Sequence, residues 1–258
     1  MHLGHARTFW VAQERALAAN GTLVLRNEDL DPDRSRPEFV AAMIEDLRWL
    51  GLRWQEGPDC GGPFAPYSQC ERRASHEQTF ERLKAKGLLY PCCCSRQDVL
   101  RALQAPHAGE EEPVYPGTCR DGMKTTHPKL INWRFRVPDN EVIEFDDGGF
   151  GKQRFVAGKD CGDFVVWRHD GVPSYQLAVV ADDAAMQITE VVRGADLLVS
   201  TARQLPLYRA LGLTPPAFYH CPLLTNGEGR RLAKREAALS LRALREQGQT
   251  PESVRRMW

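Results

Sequence analysis

The chain has 258 residues, 42 % of them hydrophobic, with Lys+Arg and Asp+Glu balanced at 34 each. That length supports a sizeable core, as one domain or one with an inserted subdomain, and the neutral balance excludes nucleic-acid binding through net charge alone, so such a partner needs a local basic patch. No apolar run approaches a membrane span and no basic-then-apolar leader opens the chain, while eight cysteines, three of them bunched from Cys92 to Cys94, favour metal binding in a reducing, cytoplasmic compartment over disulfides.

In chain order, His2 and His5 flank Leu3-Gly4, and an apolar periodic run continues through Trp10, Val11 and Leu17 to Asn20-Gly21. This predicts a helix beginning at residue 2. The two histidines share one face of its first turn, where backbone N–H groups and the macrodipole attract phosphate. Gly4 leaves room for a flat group against the backbone. From the residues alone, the pair serves equally as a cap or a surface feature. A parallel strand normally leads into a phosphate-binding helix; none precedes this one, so the chain is expected to start inside an element. Thr22 to Leu25 reads as a buried strand. It delivers Arg26, Asn27, Glu28, Asp29 and Asp31 either as ligand-binding groups or as a solvated acidic turn. Ser35 and Glu38 form a capping box for a helix ending at Leu50-Gly51, with Phe39, Met43, Ile44, Leu47 and Leu50 as its buried stripe. Ser68 and Glu71 repeat the box for a helix that stops at Gly87.

From Tyr90 the character changes. Cys92, Cys93 and Cys94 come first, then a short helix from Ser95, a polar stretch from His107 to Glu112, and Tyr115 through Cys119. Close cysteines with a distant closing ligand suit tetrahedral zinc, and His107 and His127 are alternative donors or surface residues. Ile131, Trp133, Phe135 and Val137 alternate with Asn132, Arg134 and Arg136 as a half-buried strand. Val142 to Phe145 and Gln153 to Val156 pair across a turn at Gly148, Gly149 and Gly151. Arg134, Arg136, Lys152 and Arg154 are either RNA phosphate contacts or solvated strand residues.

Phe164 to Trp167 is a strand, Asp170-Gly171 a turn, and Tyr175 to Val180 leads to Asp182-Asp183. Ile188 to Val192 precede Arg193, whose planar fork suits a carboxylate ligand bidentately, or else an ion pair with Asp196. Ser200 caps a helix ending at Leu211-Gly212, and Cys221 to Leu224 form a short strand. That strand feeds a basic loop, Arg230, Arg231, Leu232, Ala233, Lys234 and Arg235, behind Gly227 and Gly229. Leu239, Leu241 and Leu244 before Gly248 predict one more helix, and Thr250-Pro251 start another that runs out at Trp258.

The opening histidines and the basic loop together resemble the paired His-Ile-Gly-His and Lys-Met-Ser-Lys-Ser signatures of class I aminoacyl-tRNA synthetases. Arg26 to Asp31 (RNEDLD), Gly162 to Arg168 (GDFVVWR), Tyr175 to Asp183 (YQLAVVADD) and Val192 to Gln204 (VRGADLLVSTARQ) carry a likeness to the glutamyl branch, in order over nearly the whole chain. Arg231 replaces the first lysine of the loop pattern and Ala233 its serine. The family's opening Arg-Phe-Ala-Pro-Ser-Pro-type strand has no counterpart here.

The resemblance implies an α/β fold. Its Rossmann-like, mainly parallel sheet is split into halves at 1–89 and 156–236 by a zinc-bearing insertion at 90–155 that contacts the RNA acceptor end. Short helices at 237–258 follow, with no anticodon-binding domain. It implies activation of L-glutamate by ATP with Mg²⁺. His2, His5 and Lys234 would be catalytic, with Leu224 and Arg231 also on ATP, and Glu28, Tyr175 and Arg193 would hold the amino acid. Many glutamyl-tRNA synthetases close a Cys-x-Cys pair with Cys-x-His, whereas the shorter glutamyl-queuosine tRNA(Asp) synthetases close it with Tyr-x-x-x-Cys. Asp121 stands where the first pattern wants histidine, so the resemblance gives Cys92, Cys94, Tyr115 and Cys119 as ligands of one zinc, with Cys93 a bystander. This closure and the missing anticodon domain imply transfer of glutamate to the queuosine base of tRNA(Asp), by a protein expected to be a monomer. The alternatives are a clipped synthetase charging tRNA(Glu) and an inactive remnant that binds ATP or RNA.

Overall fold

The computed structural model describes residues 1–31, 35–95, 114–123, 130–224 and 240–258. Helix α1 (Leu3–Ala18) starts where expected, because His2 in extended backbone turns its Nδ1 onto the N–H groups of Gly4 and His5 at 3.1 and 3.4 Å. Helix α2 (Pro37–Leu50) is entered differently from the sequence expectation. Arg36 precedes it without a side-chain cap, and Pro37 supplies the preset φ of the first position in place of a Ser35–Glu38 box. Leu47 and Leu50 are buried with Met43 and Ile44 beside them, but Phe39 is 59 % exposed, since the core under α2 begins only at Met43. Ser68 likewise makes no side-chain cap. The Glu71 N–H bonds the Ser68 carbonyl at 3.2 Å, so the chain enters α3 (Arg73–Ala85) through a tight 3₁₀ turn.

Strands β1 (Leu89–Cys92), β2 (Asn132–Phe135) and β5 (Phe164–Trp167) form an antiparallel sheet in the order β1-β2-β5. Strands β3 (Val142–Asp147), β4 (Gly151–Val156), β6 (Glu190–Gly194) and β7 (Ala217–Cys221) form a second sheet in the order β4-β3-β7-β6. Strands β6 and β3 each run parallel to β7, while the short hairpin makes β4 antiparallel to β3. The sheet is therefore mixed rather than mainly parallel. Thr22 to Leu25 forms no strand: Val24 makes a single bridge with Glu56, and the Leu25 N–H goes to the Glu56 carbonyl at 2.8 Å. Strand β7 ends at Cys221, because Pro222 has no N–H to continue a ladder.

Tyr175–Ala185 is helix α4, capped by the Ser174 hydroxyl, and Leu198–Leu211 is α5. Ser200 lies inside the first turn of α5 rather than capping it, and accepts from Gln176 Nε2 at 3.1 Å. The chain closes with α6 (Leu241–Glu246), capped by Ser240, and α7 (Pro251–Arg255), held by a capping box between Thr250 and Ser253.

Two apolar clusters hold these pieces. Phe80, Leu83, Phe135, Phe164, Val166, Leu177 and Leu207 join α3, α4 and α5 to the antiparallel sheet. Leu3, Leu47, Leu50, Leu241 and Val254 join α1 and α2 to α6 and α7. Helix α1 runs against the direction of β6 and β7. Arg15 pairs with Glu190 at 2.6 Å and covers the Tyr219 ring at 4.0 Å, while Arg7 Nη1 reaches the Pro222 carbonyl at 3.3 Å. The histidine end of α1 thus lies at the carboxyl ends of the parallel strands, where α/β sheets place their ligands. Among the described residues no helix is long and apolar enough to cross a membrane.

Candidate active site and cysteine cluster

The rings of His2 and His5 stack at 3.7 Å between centroids. Because His2 Nδ1 accepts two backbone N–H bonds, the proton of the neutral ring sits on Nε2, which makes that edge a donor. The cap also revises the sequence expectation: these two N–H groups are taken by His2, leaving the imidazole edges and the macrodipole to meet a phosphate. A Cβ on residue 4 would stand 3.1 Å from His2 Cε1, so Gly4 is what lets the ring fold over the backbone. Arg231 and Lys234 lie outside the described residues. The residues flanking that loop both return to α1, for Pro222 contacts Arg7 and Ser240 bridges His2. The Leu241 N–H meets the Met1 carbonyl at 2.8 Å, and Leu224 packs on the α1 cluster.

At the end of β6, Arg193 is buried, at 7 % exposure. Its Nε donates to His220 Nε2 at 3.2 Å, its Nη2 to Thr201 Oγ1 at 2.7 Å and Gln204 Oε1 at 2.9 Å, and its Nη1 to the Tyr175 hydroxyl at 3.3 Å. Among the described residues, partners take four of the five guanidinium N–H bonds and leave one, on Nη1. A bidentate fork is therefore not on offer, and the surface pair with Asp196 is replaced by this buried set. A carboxylate arriving here meets one N–H of Arg193 beside the Tyr175 hydroxyl, whose own proton is left to donate. Burial pushes that hydroxyl up to about 12, with the Glu28 charge adding and Arg193 opposing.

Glu28 is thus within electrostatic reach of Tyr175. Arg26 holds Glu28 at 3.1 Å with one nitrogen and Asp183 at 2.5 Å with another, leaving the Glu28 side chain 40 % exposed. Asp182 and Asp183 are buried and structural. Asp182 accepts from Arg72 Nε at 2.7 Å and Gln69 Nε2 at 2.8 Å, with His76 Nε2 at 3.0 Å.

The Sγ atoms of Cys92, Cys94 and Cys119 lie within 4.8 Å of one another and could hold a metal ion. The Tyr115 oxygen is 3.4 Å from Cys92 Sγ and 3.5 Å from Cys94 Sγ, and Cys94 Sγ is 3.6 Å from Cys119 Sγ. A tetrahedral ion with bonds of about 2.3 Å to sulfur and about 2.0 Å to oxygen needs edges of roughly 3.5–3.8 Å between its ligands. These three edges match. Cys93 Sγ lies 3.8 Å from Cys119 Sγ on the margin of the cluster. Burial raises the Cys119 thiol, but hydrogen bonds from the Cys93 backbone, Tyr115 and the neighbouring thiols outweigh it and bring it down to about 7. Cys94 is pushed up to about 12, chiefly by burial. His107 and His127 lie outside the described residues.

Arg134 belongs to this cluster rather than to an RNA surface. Its Nε donates to Cys92 Sγ at 3.2 Å, its Nη1 to the Asp163 carbonyl at 3.1 Å, and its guanidinium lies 3.8 Å from the Tyr115 ring centre. Arg136 bonds the Arg120 carbonyl, Arg154 pairs with Glu144 across the hairpin at 3.4 Å, and Lys152 is exposed. Sequence reasoning also missed the groups behind Arg193: His220, Thr201, Gln204, and Asp147 beyond His220. Only Asp147, heading a Gly-Gly turn, carries a local signal, and that signal points to a turn.

Comparison with known proteins agrees with this geometry. The chain matches the family described as tRNA synthetases class I (E and Q), catalytic domain, over residues 1–258. It is 51 % identical over 261 residues to a glutamyl-Q tRNA(Asp) synthetase of Symbiobacterium thermophilum, covering 98 % of this chain and 80 % of that protein. A protein of the same description from Nitratidesulfovibrio vulgaris is 49 % identical, covering 96 % and 78 %. A glutamate–tRNA ligase of Nitrosococcus oceani is 43 % identical, covering 98 % of this chain and 55 % of that protein. The crystal structure of a glutamate-tRNA synthetase from Elizabethkingia anophelis superimposes with a TM-score of 0.79 at 30 % identity, over 91 % of this chain and 50 % of that one. The chain spans half the length of that solved relative. A match running from the stacked histidines to the last helix leaves one assignment: the chain belongs to the class I tRNA synthetases of the glutamyl and glutaminyl type.

Proposed function

We propose that the chain activates L-glutamate with ATP and passes it to the queuosine base of tRNA(Asp). The similarity to glutamyl-Q tRNA(Asp) synthetases over about four fifths of their length carries this reading. The Tyr115 oxygen beside Cys92 and Cys94 supports it.

In the first step an oxygen of the glutamate α-carboxylate bonds to the α-phosphorus of ATP while the bond from that phosphorus to the β-bridging oxygen breaks. Pyrophosphate leaves with the electron pair. There is little proton transfer to arrange, so catalysis rests on placement and charge stabilisation. The Nε2 edge of His2, with His5, steadies the phosphates; Arg231 and Lys234 meet the leaving pyrophosphate; Leu224 backs the nucleotide. Mg²⁺ accompanies ATP and neutralises phosphate charge. Glu28 takes the α-ammonium, and the Tyr175 hydroxyl and the last Arg193 N–H take the side-chain carboxylate. Glutamine would set an amide N–H against one of those buried donors, a mismatch that discriminates strongly. In the second step an O–H or N–H group of the base, losing its proton, bonds to the glutamyl carbonyl carbon while the bond from that carbon to the phosphate oxygen breaks and AMP leaves with the electron pair.

Cys92, Cys94, Tyr115 and Cys119 would hold one zinc ion, which would tie the segment around Cys119 to β1. The insertion expected at 90–155 would face the RNA through the part before β3, because the β3–β4 hairpin within those bounds joins β7 in the sheet of the second core half. The protein would act as a cytoplasmic monomer. The 43 % identity to a glutamate–tRNA ligase supports a second reading, charging of tRNA(Glu). Labelled glutamate offered with queuosine-bearing tRNA(Asp), tRNA(Asp) lacking the modification, and tRNA(Glu) separates them. Acceptance by the first alone is expected. Acceptance by tRNA(Glu) favours the second reading, and acceptance by none contradicts both.

A further inference from the structure

We propose that His220 and Asp147 are positioning residues for Arg193, fixing its guanidinium so that its last N–H faces the glutamate side chain. This rests on Arg193 being a glutamate-binding residue, as argued above.

His220 on β7 has no exposed surface, and its Nδ1 lies 2.5 Å from Asp147 Oδ2. The other carboxylate oxygen accepts the N–H groups of Gly149 and Phe150 at 2.9 Å each. Burial alone would raise the Asp147 carboxyl, but the His220 ring and these N–H bonds hold it below the ordinary carboxylate range. An anchored carboxylate facing Nδ1 requires a proton on Nδ1. In the neutral ring, Nε2 is then an acceptor, and Arg193 Nε points at it from 3.2 Å.

Thr201 is compatible with that tautomer. Its hydroxyl accepts from Arg193 Nη2 at 2.7 Å, and its one proton can go to the Leu197 carbonyl at 3.4 Å or to His220 Nε2 at 3.2 Å, which is an acceptor in either case. A second proton on His220 would set an imidazolium N–H against the Arg193 N–H. Burial and the Arg193 charge both oppose that protonation, against the pull of Asp147 and the Leu197 carbonyl.

The hairpin is shaped to reach this position. A Cβ on residue 149 would fall 2.1 Å from the His220 carbonyl oxygen, so Gly149 alone lets the tip of the β3–β4 turn lie on the β7 backbone. A turn residue of β3 is thereby linked, through a histidine on the central strand β7, to the binding arginine on β6.

Two measurements test the proposal. Ring-nitrogen NMR of ¹⁵N-histidine protein at pH 7 should find His220 neutral and protonated on Nδ1; an Nε2-protonated ring or an imidazolium overturns it. In glutamate-dependent pyrophosphate exchange, His220→Asn keeps a donor for Asp147 but loses the acceptor for Arg193, while His220→Gln sets an amide oxygen near the Nε2 position. His220→Asn should raise the KM for glutamate by about tenfold or more with the KM for ATP within about twofold, and His220→Gln should recover most of the loss. A folded His220→Asn protein with an unchanged glutamate KM, or with both KM values raised alike, overturns the proposal. Wild-type protein that shows no exchange counts instead against the proposed function, while the tautomer still decides the Asp147–His220–Arg193 arrangement.

Discussion

Arg193 illustrates how a side chain's surroundings decide what it can offer a ligand. With four of its N–H bonds satisfied inside the protein, it is a rigid single-point donor whose partner is Tyr175. Lysine has three donors on a tetrahedral head and cannot reproduce that planar set. Arg193→Lys should therefore raise the glutamate KM about a hundredfold, roughly 2.7 kcal/mol, with the protein still folded; a change below about threefold in exchange assays speaks against the role. Lys234→Ala should slow adenylate formation at least about tenfold, worth about 1.4 kcal/mol at the barrier, and an unchanged exchange rate would remove Lys234 from the mechanism. Metal analysis should give one zinc per chain, released by Cys119→Ser; retention of full metal by that variant contradicts the ligand set. Arg193 and the cysteines were readable as residue types in a pattern. Their surroundings were not, because His220 and Asp147 are 73 residues apart and meet only through the strand order β3-β7-β6. Arg134 misled for a related reason: alternation assumes that polar positions face water, and here a thiol and the Asp163 carbonyl draw the guanidinium inward.

Among the elements, helix ends written in glycine were read correctly, since a left-handed residue is a local requirement. Gly51, Gly87, Gly212 and Gly248 all have positive φ. Serine boxes were less reliable. Thr250 forms its cap with Ser253, whereas Ser35 yields to Pro37 and Ser68 to a 3₁₀ turn, local alternatives that a four-residue pattern does not weigh. Helix α2 also separates burial from periodicity. Leu50→Ala removes a side chain with no exposed surface and should cost about 2–5 kcal/mol in denaturant titration. Phe39→Ala, one turn beyond the packed core, should stay within about 0.5 kcal/mol. Equal losses at the two positions would contradict the packing described for α2.

For the molecule as a whole, the class of fold was readable because paired motifs at opposite ends of the chain imply it, while the mixed sheet order follows from the β3–β4 hairpin, whose place beside β7 no local pattern announces. The buried charges also fix the pH response. Burial would raise the Asp182 carboxyl, but His76, Arg26 and Arg72 outweigh it and hold it low, and Asp147 is held low in the same sense. Carboxylates depressed in the folded state contribute stability that is full above about pH 4 and lost as pH falls through their folded values. His220 is depressed chiefly by burial, so below about pH 6.5 the unfolded chain takes up its proton first and stability declines there too. Denaturation midpoints should fall below about pH 6.5 and fall more steeply under pH 4; a midpoint unchanged from pH 8 to pH 3 contradicts this.

Amino-acid-dependent exchange of labelled pyrophosphate into ATP tests the central claim most directly, that stacked imidazoles and a glutamate pocket at the strand ends make an adenylate. With Mg²⁺ present, L-glutamate should drive exchange, while L-glutamine and L-aspartate at equal concentration should drive little. Exchange that is absent with L-glutamate, or as fast with L-glutamine, contradicts it.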